Sequence, residues 1–180
     1  MLRRSSSGHY VSIDSDPDAD GRRVQVVADL TSAPFRSGVF DLSVCFHVFE
    51  HIPDDRSAMR EYARLIARNG IGFIQNPWRS SGPTDEDPSA PTEERIKRFG
   101  QADHVRYYGE DFESRLIAAG IRTRRIYPED ILTQSQIEQM GIDSHPIWVV
   151  HGQRTSLARL NEQRYKTRLR RRLQALLPDD

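Results

Sequence analysis

Phe40-Asp41-Leu42-Ser43-Val44-Cys45-Phe46 runs without a break into His47-Val48-Phe49-Glu50-His51-Ile52-Pro53, and this stretch decides how the rest of the chain is read. The first half is a short, β-prone and largely apolar run of the kind that forms a buried strand. The second half delivers two histidines and a glutamate, then meets Pro53, which stops a helix from continuing through it. A strand whose carboxyl end presents several titratable side chains is how open α/β sheets build ligand sites.

Working outward, His9–Ile13 and Val24–Ala28 read as two earlier strands, closed by Asp14-Ser15-Asp16-Pro17 and by Asp29. Downstream, Asp54 or Asp55 caps a helix that turns Ala58, Tyr62, Leu65 and Ile66 to one face, with Met59 beside them. Asn69-Gly70 is expected to end that helix, glycine taking the left-handed position, and Ile71–Gln75 to form the next strand, ended by Asn76-Pro77. Ser80–Pro91 reads as a surface loop long enough to serve as a lid. Short helices are expected over Glu93–Phe99 and Glu110–Ala119, the second stopped by Gly120. Ile121–Tyr127 and Ile147–His151 read as a closing antiparallel pair. The alternation predicts an α/β fold, a Rossmann-like, mostly parallel sheet with helices on both faces.

Composition narrows the partners. The chain has 180 residues, enough for one domain with a real core, and its 26 Lys+Arg balance 26 Asp+Glu. No whole-protein field therefore favours nucleic acid or a membrane. A single cysteine, Cys45, excludes an internal disulfide, and no apolar run reaches the roughly 20 residues of a membrane span. A cytoplasmic location is the expectation. From about Thr155 the character changes. Leu157, Leu160, Tyr165, Leu169, Leu173 and Leu176 keep helical spacing among Arg159, Arg164, Lys166, Arg168, Arg170, Arg171 and Arg172. That predicts a basic amphipathic helix over 152–180, following a domain over 1–151. It is either a solvated face packed on the domain or a site for an acidic surface, a membrane interface or nucleic acid.

The strand ends carry the chemistry. Asp14 offers a carboxylate to a ribose diol, which presents two donors. Asp29 can accept from an adenine amino group while the Leu30 and Thr31 amides meet the ring nitrogens. Each alone also fits a strand-end turn; their occurrence at successive strand ends favours a ligand.

Asp29-Leu30-Thr31-Ser32-Ala33-Pro34-Phe35, Phe40-Asp41-Leu42 and His47 through Pro53, in this order, resemble the core of a class I S-adenosylmethionine-dependent methyltransferase. Asn69-Gly70, Phe99-Gly100-Gln101, Asp103-His104-Val105-Arg106 and Tyr108-Gly109 continue the resemblance toward a group of small bacterial methyltransferases, over about residues 9–151. The resemblance implies S-adenosylmethionine as cofactor. It implies that Asp29 with Leu30 and Thr31 reads adenine, that Asp14 holds ribose, and that Phe46 and His47 flank the cofactor. The methyl acceptor stays open among a small molecule, a lipid, a sugar and a protein, with a small molecule as the expectation.

The family's first strand and glycine-rich turn precede the ribose-binding acid, and only Met1–Gly8 stand before His9 here. The sequence thus predicts a gap between the strands ending at Asp14 and Phe46, filled by an upstream segment, by a partner or second copy, or by closing up of the sheet. It also predicts weak cofactor binding by the 180-residue chain.

His47-Val48-Phe49-Glu50-His51 also matches H-x-x-E-H, a zinc-hydrolase pattern that requires a helix. At a strand end before Pro53 the two histidines diverge, so no metal is expected. In Asp103-His104 an aspartate stands beside a histidine and tunes it as a base, or else the pair forms a structural corner. His51 and His104 are the candidates for base or substrate contact. The alternative to an enzyme is a degenerate methyltransferase fold acting in binding or assembly.

Overall fold

The computed structural model describes residues 10–18, 24–152, 165–167 and 171. Eight strands and four α-helices follow one another among these residues: β1 (Ile13–Asp14), β2 (Val26–Val27), β3 (Phe40–Phe46), α1 (Asp55–Leu65), β4 (Ile66–Gln75), β5 (Asp85–Glu86), α2 (Thr92–Phe99), β6 (Arg106–Tyr107), α3 (Phe112–Ala118), β7 (Arg122–Ile126), α4 (Gln134–Met140) and β8 (Ile147–His151). Short 3-10 turns occupy Phe49–His51 and Pro128–Asp130.

The α/β fold expected from the sequence is the one observed. β1 pairs with β2 in parallel, and β3 with β4 in parallel. The closing pair is antiparallel, β7 against β8, and β8 joins it to β4, giving the order β3-β4-β8-β7. Among the described residues β1 and β2 form a separate pair, with no ladder to β3.

Alternation along β3 sorts its side chains. Cys45 turns inward to Ala58, Met59 and Tyr62 of α1, in a core that continues through Ile74, Tyr108, Phe112, Leu116 and Trp148. Leu42, Val44 and Phe46 point to the other face and are exposed. Farther across that face, Ile126, Val149 and Tyr165 form a smaller buried cluster. Helical segments thus meet both faces. The tail expected to be helical over 152–180 is helical at Tyr165–Thr167 and Arg171, and its remaining residues lie outside the described ones.

Several local expectations need correcting. Asn69-Gly70 does not stop α1. The helix ends at Leu65, and β4 begins at Ile66, with residues 67–70 bulging between the pairs Phe40↔Ile66 and Leu42↔Ile71. Glycine suits position 70 because a Cβ there would stand 2.8 Å from the Phe40 carbonyl oxygen. The first strands are shorter than read, reaching only Ile13–Asp14 and Val26–Val27, and His9 lies outside the described residues. The Ser80–Pro91 segment is stitched down and is not a free lid. β5 pairs with β6, Thr84 bonds Asp111 through its amide and hydroxyl, and the Glu110 amide donates to the Gly82 carbonyl. The polar stretch between β7 and β8 contains α4, whose Thr133 and Gln136 form a capping box.

Candidate functional site

The parallel register opposes Asp14 to Val27, so Asp14 and Asp29 stand at the same end of neighbouring strands. Each carboxylate is partly engaged locally. Asp14 accepts from the Asp16 amide at 3.1 Å, and Asp29 accepts from the Thr31 amide at 2.7 Å. In both cases Oδ1 is used and Oδ2 has no hydrogen-bond partner among the described residues. This alters the adenine reading. The Thr31 amide, expected to meet a ring nitrogen, is taken by its own Asx turn, which leaves the Leu30 amide for that task. Leu30 packs its side chain against the core that holds Cys45 and Phe49, tying this end of β2 to the β3 side.

At the end of β3, Phe46 is exposed and His47 adopts φ 55°, the left-handed region rarely used by non-glycine residues. The His47 amide donates to the Gln75 carbonyl at 2.8 Å, which holds the ends of β3 and β4 together. The turn redirects the chain into the Phe49–His51 3-10 segment. His47 Nδ1 faces Glu50 Oε1 at 3.2 Å. The Asn76 amide, turned so that its nitrogen faces Glu50, donates to Oε2 at 2.9 Å. Glu50 is fully buried, and burial pushes its carboxyl up to about 7.

Arg106 gathers three carbonyls of this turn, of which Phe49 also accepts from the Ile52 amide. Its guanidinium, 1% exposed, donates to the Phe49, Ile52 and Pro53 carbonyls and reaches Glu86. The Val105 amide donates to the Glu50 carbonyl at 2.9 Å. Asp55 then joins the two segments from below, accepting from the Tyr108 hydroxyl and from Arg115. The two motif stretches, 47–55 and 99–109, are thereby fastened into one corner.

That corner brings His51 and His104 together, with ring centroids 4.7 Å apart and planes at 80°. Asp103 lies beside His104 in sequence, yet its carboxylate makes an ion-pair contact with His51 Nδ1 at 3.0 Å. His104 Nδ1 instead meets the Phe99 carbonyl at 3.0 Å. Burial lowers the His104 pKa, and the Phe99 hydrogen bond opposes that shift. Sequence reading named His51 and His104 singly and left Glu50, Asn76 and Arg106 out of the site. Only the histidine-rich spacing of 47–51 signalled Glu50.

The comparisons with known proteins fall on the same class. A family described as a methyltransferase domain matches residues 2–74. Among solved structures, a Haloferax volcanii complex of the Trm112 methyltransferase activator with a methyltransferase is similar at 14% identity, over 78% of this chain and 70% of that one, with a TM-score of 0.50. An S-adenosylmethionine-dependent methyltransferase from Mesorhizobium loti matches at 14% identity over 76% and 72% of the two chains, with a TM-score of 0.47. A 1,6-didemethyltoxoflavin-N1-methyltransferase from Burkholderia thailandensis, solved with S-adenosylhomocysteine, matches at 14% over 79% and 60%, with a TM-score of 0.48. No curated protein matches the chain. Profile and fold agree: the chain resembles the class I S-adenosylmethionine-dependent methyltransferases, and at these identities the structural likeness is one of fold.

Proposed function

We propose that the protein transfers a methyl group from S-adenosylmethionine to a small-molecule acceptor. The observation that carries this reading is that Asp14 and Asp29 stand at the same end of parallel strands, each with one carboxylate oxygen still available. Two such acceptors suit the ribose diol and the adenine amino group, and the Leu30 amide suits a ring nitrogen. S-adenosylmethionine supplies a methyl group already activated by the positive charge on its sulfur, so little covalent help is needed from the chain. The protein's own work is alignment. Asp14, Asp29 and Leu30 hold the adenosine end, while Phe46 and His47 bound the cofactor side of the β3 terminus. Orientation of this kind supplies much of a transfer barrier's reduction. The His51–His104 corner lies just beyond the end of β3 and suits the acceptor side, where a proton leaves when the acceptor is a hydroxyl or an amine.

A second reading, a methyltransferase fold used for assembly, draws support from the uncovered apolar face of β3. Leu42, Val44 and Phe46 are 58%, 52% and 41% exposed there, where a soluble domain ordinarily buries such side chains. One experiment separates the readings. Irradiating the protein with methyl-labelled S-adenosylmethionine and mapping labelled peptides should place label within residues 24–53. Label confined to the tail, or none above a denatured control, would favour assembly.

A further inference from the structure

We propose that Glu50, His51 and His104 bind one divalent transition-metal ion, through a carboxylate oxygen and the two imidazole Nε2 atoms. One ligand atom from each of these residues lies within 4.8 Å of the others. Donor atoms about 2.1 Å from a shared ion sit roughly 3.4 Å apart in tetrahedral geometry. The set is therefore slightly open, and His51, whose side chain is 33% exposed, has the room to close it.

The tautomers point the same way. A carbonyl oxygen only accepts, so the contact with Phe99 fixes the His104 proton on Nδ1 and leaves the Nε2 lone pair unused. The Asp103 carboxylate, an ion-pair contact 3.0 Å from His51 Nδ1, favours the His51 proton on that nitrogen. Neither Nε2 has a hydrogen-bond partner among the described residues. Metal-bound histidines characteristically donate their second ring N–H to a carboxylate or a backbone carbonyl; here the Phe99 carbonyl meets His104 Nδ1 and the Asp103 carboxylate stands beside His51 Nδ1. Glu50 is oriented too, between His47 and the Asn76 amide. A buried carboxylate with two imidazoles suits Zn2+, Fe2+ or Co2+ and not Mg2+ or Ca2+, which take oxygen ligands.

The sequence expectation of no metal rested on the divergence of His47 and His51. The proposed set keeps His51 and replaces His47 with His104, a partner contributed by a distant segment. Buried Glu50 and His104 form the closed side, and the remaining coordination positions face the partly exposed edge at His51. Water or an oxygen of an acceptor would complete the shell there.

Co2+ titration of the intact protein, followed by visible absorption and reversed with Zn2+, tests this without S-adenosylmethionine, so its outcome is independent of the methyl-transfer reading. Binding of one equivalent is expected, unaffected by excess Mg2+. His51→Ala and His104→Gln should each weaken it by about 100-fold or more. Asp103→Asn, which removes only the orienting carboxylate, should weaken it about 10- to 100-fold. His145→Ala, at a half-buried histidine outside the proposed set, should change nothing. Because His104 also secures the Phe99 carbonyl, His51→Ala carries the test if His104→Gln fails to fold. Absence of one-equivalent binding to the wild-type protein, or binding that survives His51→Ala in a folded variant, would overturn the proposal.

Discussion

The Arg106 guanidinium donates to the Phe49 carbonyl at 2.7 Å and, with it, ties the end of the second motif stretch to the turn that carries Glu50 and His51. This contact, together with the two further carbonyls Arg106 caps, explains why His51 and His104 end up ring against ring. Neither histidine's own neighbourhood in sequence would bring it to the other.

Arg106→Gln should therefore destabilise the protein by about 3–5 kcal/mol, the range for removing one member of a buried charged set and leaving its partners unpaired. Asp55, 4% exposed and 3.7 Å from the guanidinium, would lose part of its compensation. Urea unfolding measures the change. Arg106→Lys should recover little, because an ammonium cannot reach three carbonyls and a carboxylate in one plane. A loss under about 1 kcal/mol would show that the turn is held by other contacts.

What was legible in the sequence follows from the range of the forces involved. β3 and β8 were read with their observed bounds because each is a compact β-prone run between polar breaks. The start of β4 was misread because Asn69-Gly70 carries a strong local stop signal. Only the register against Phe40, a tertiary fact, turns residues 67–70 into a bulge. α4 was legible in principle through the Thr133 and Gln136 capping box and was passed over for its polarity. In the site, single residues were visible and their pairing was not. Asp103 reads as the partner of adjacent His104, yet the fold gives its carboxylate to His51.

Tyr165 is fully buried and packs with Ile126 and Val149, while Lys166 reaches Asp130 at 2.6 Å. This part of the tail is therefore joined to the sheet. Tyr165→Ala should cost about 3–5 kcal/mol, the usual loss for a large buried aromatic side chain, and lower the melting temperature accordingly. An unchanged melting temperature would make the tail an appendage.

His151, buried beneath that ring, bonds the Tyr165 hydroxyl at 3.0 Å. Burial, with Arg124 and Arg122 nearby, lowers its pKa to about 4. The sign follows from proton binding. The unfolded chain protonates this histidine near pH 6.5 and the folded one resists until about 4, so its stabilising contribution is present above 6.5 and lost as pH falls through that window. His151→Gln should flatten the stability-against-pH curve between about 6.5 and 4, as read by denaturant midpoints across pH. An unaltered slope would assign the acid sensitivity to other groups.

The central claim is that Asp14, Asp29 and the Leu30 amide receive the adenosine end of S-adenosylmethionine. Amide-resolved NMR titration with S-adenosylhomocysteine, carried to millimolar concentration so that weak binding registers, tests it most directly. Saturable shifts are expected at the Leu30 amide and around Asp14, with saturation lost in both Asp14→Ala and Asp29→Ala while each variant stays folded. Amides that do not move at the highest concentration, or shifts confined to the side of the sheet where Arg124 meets Tyr165, would contradict it.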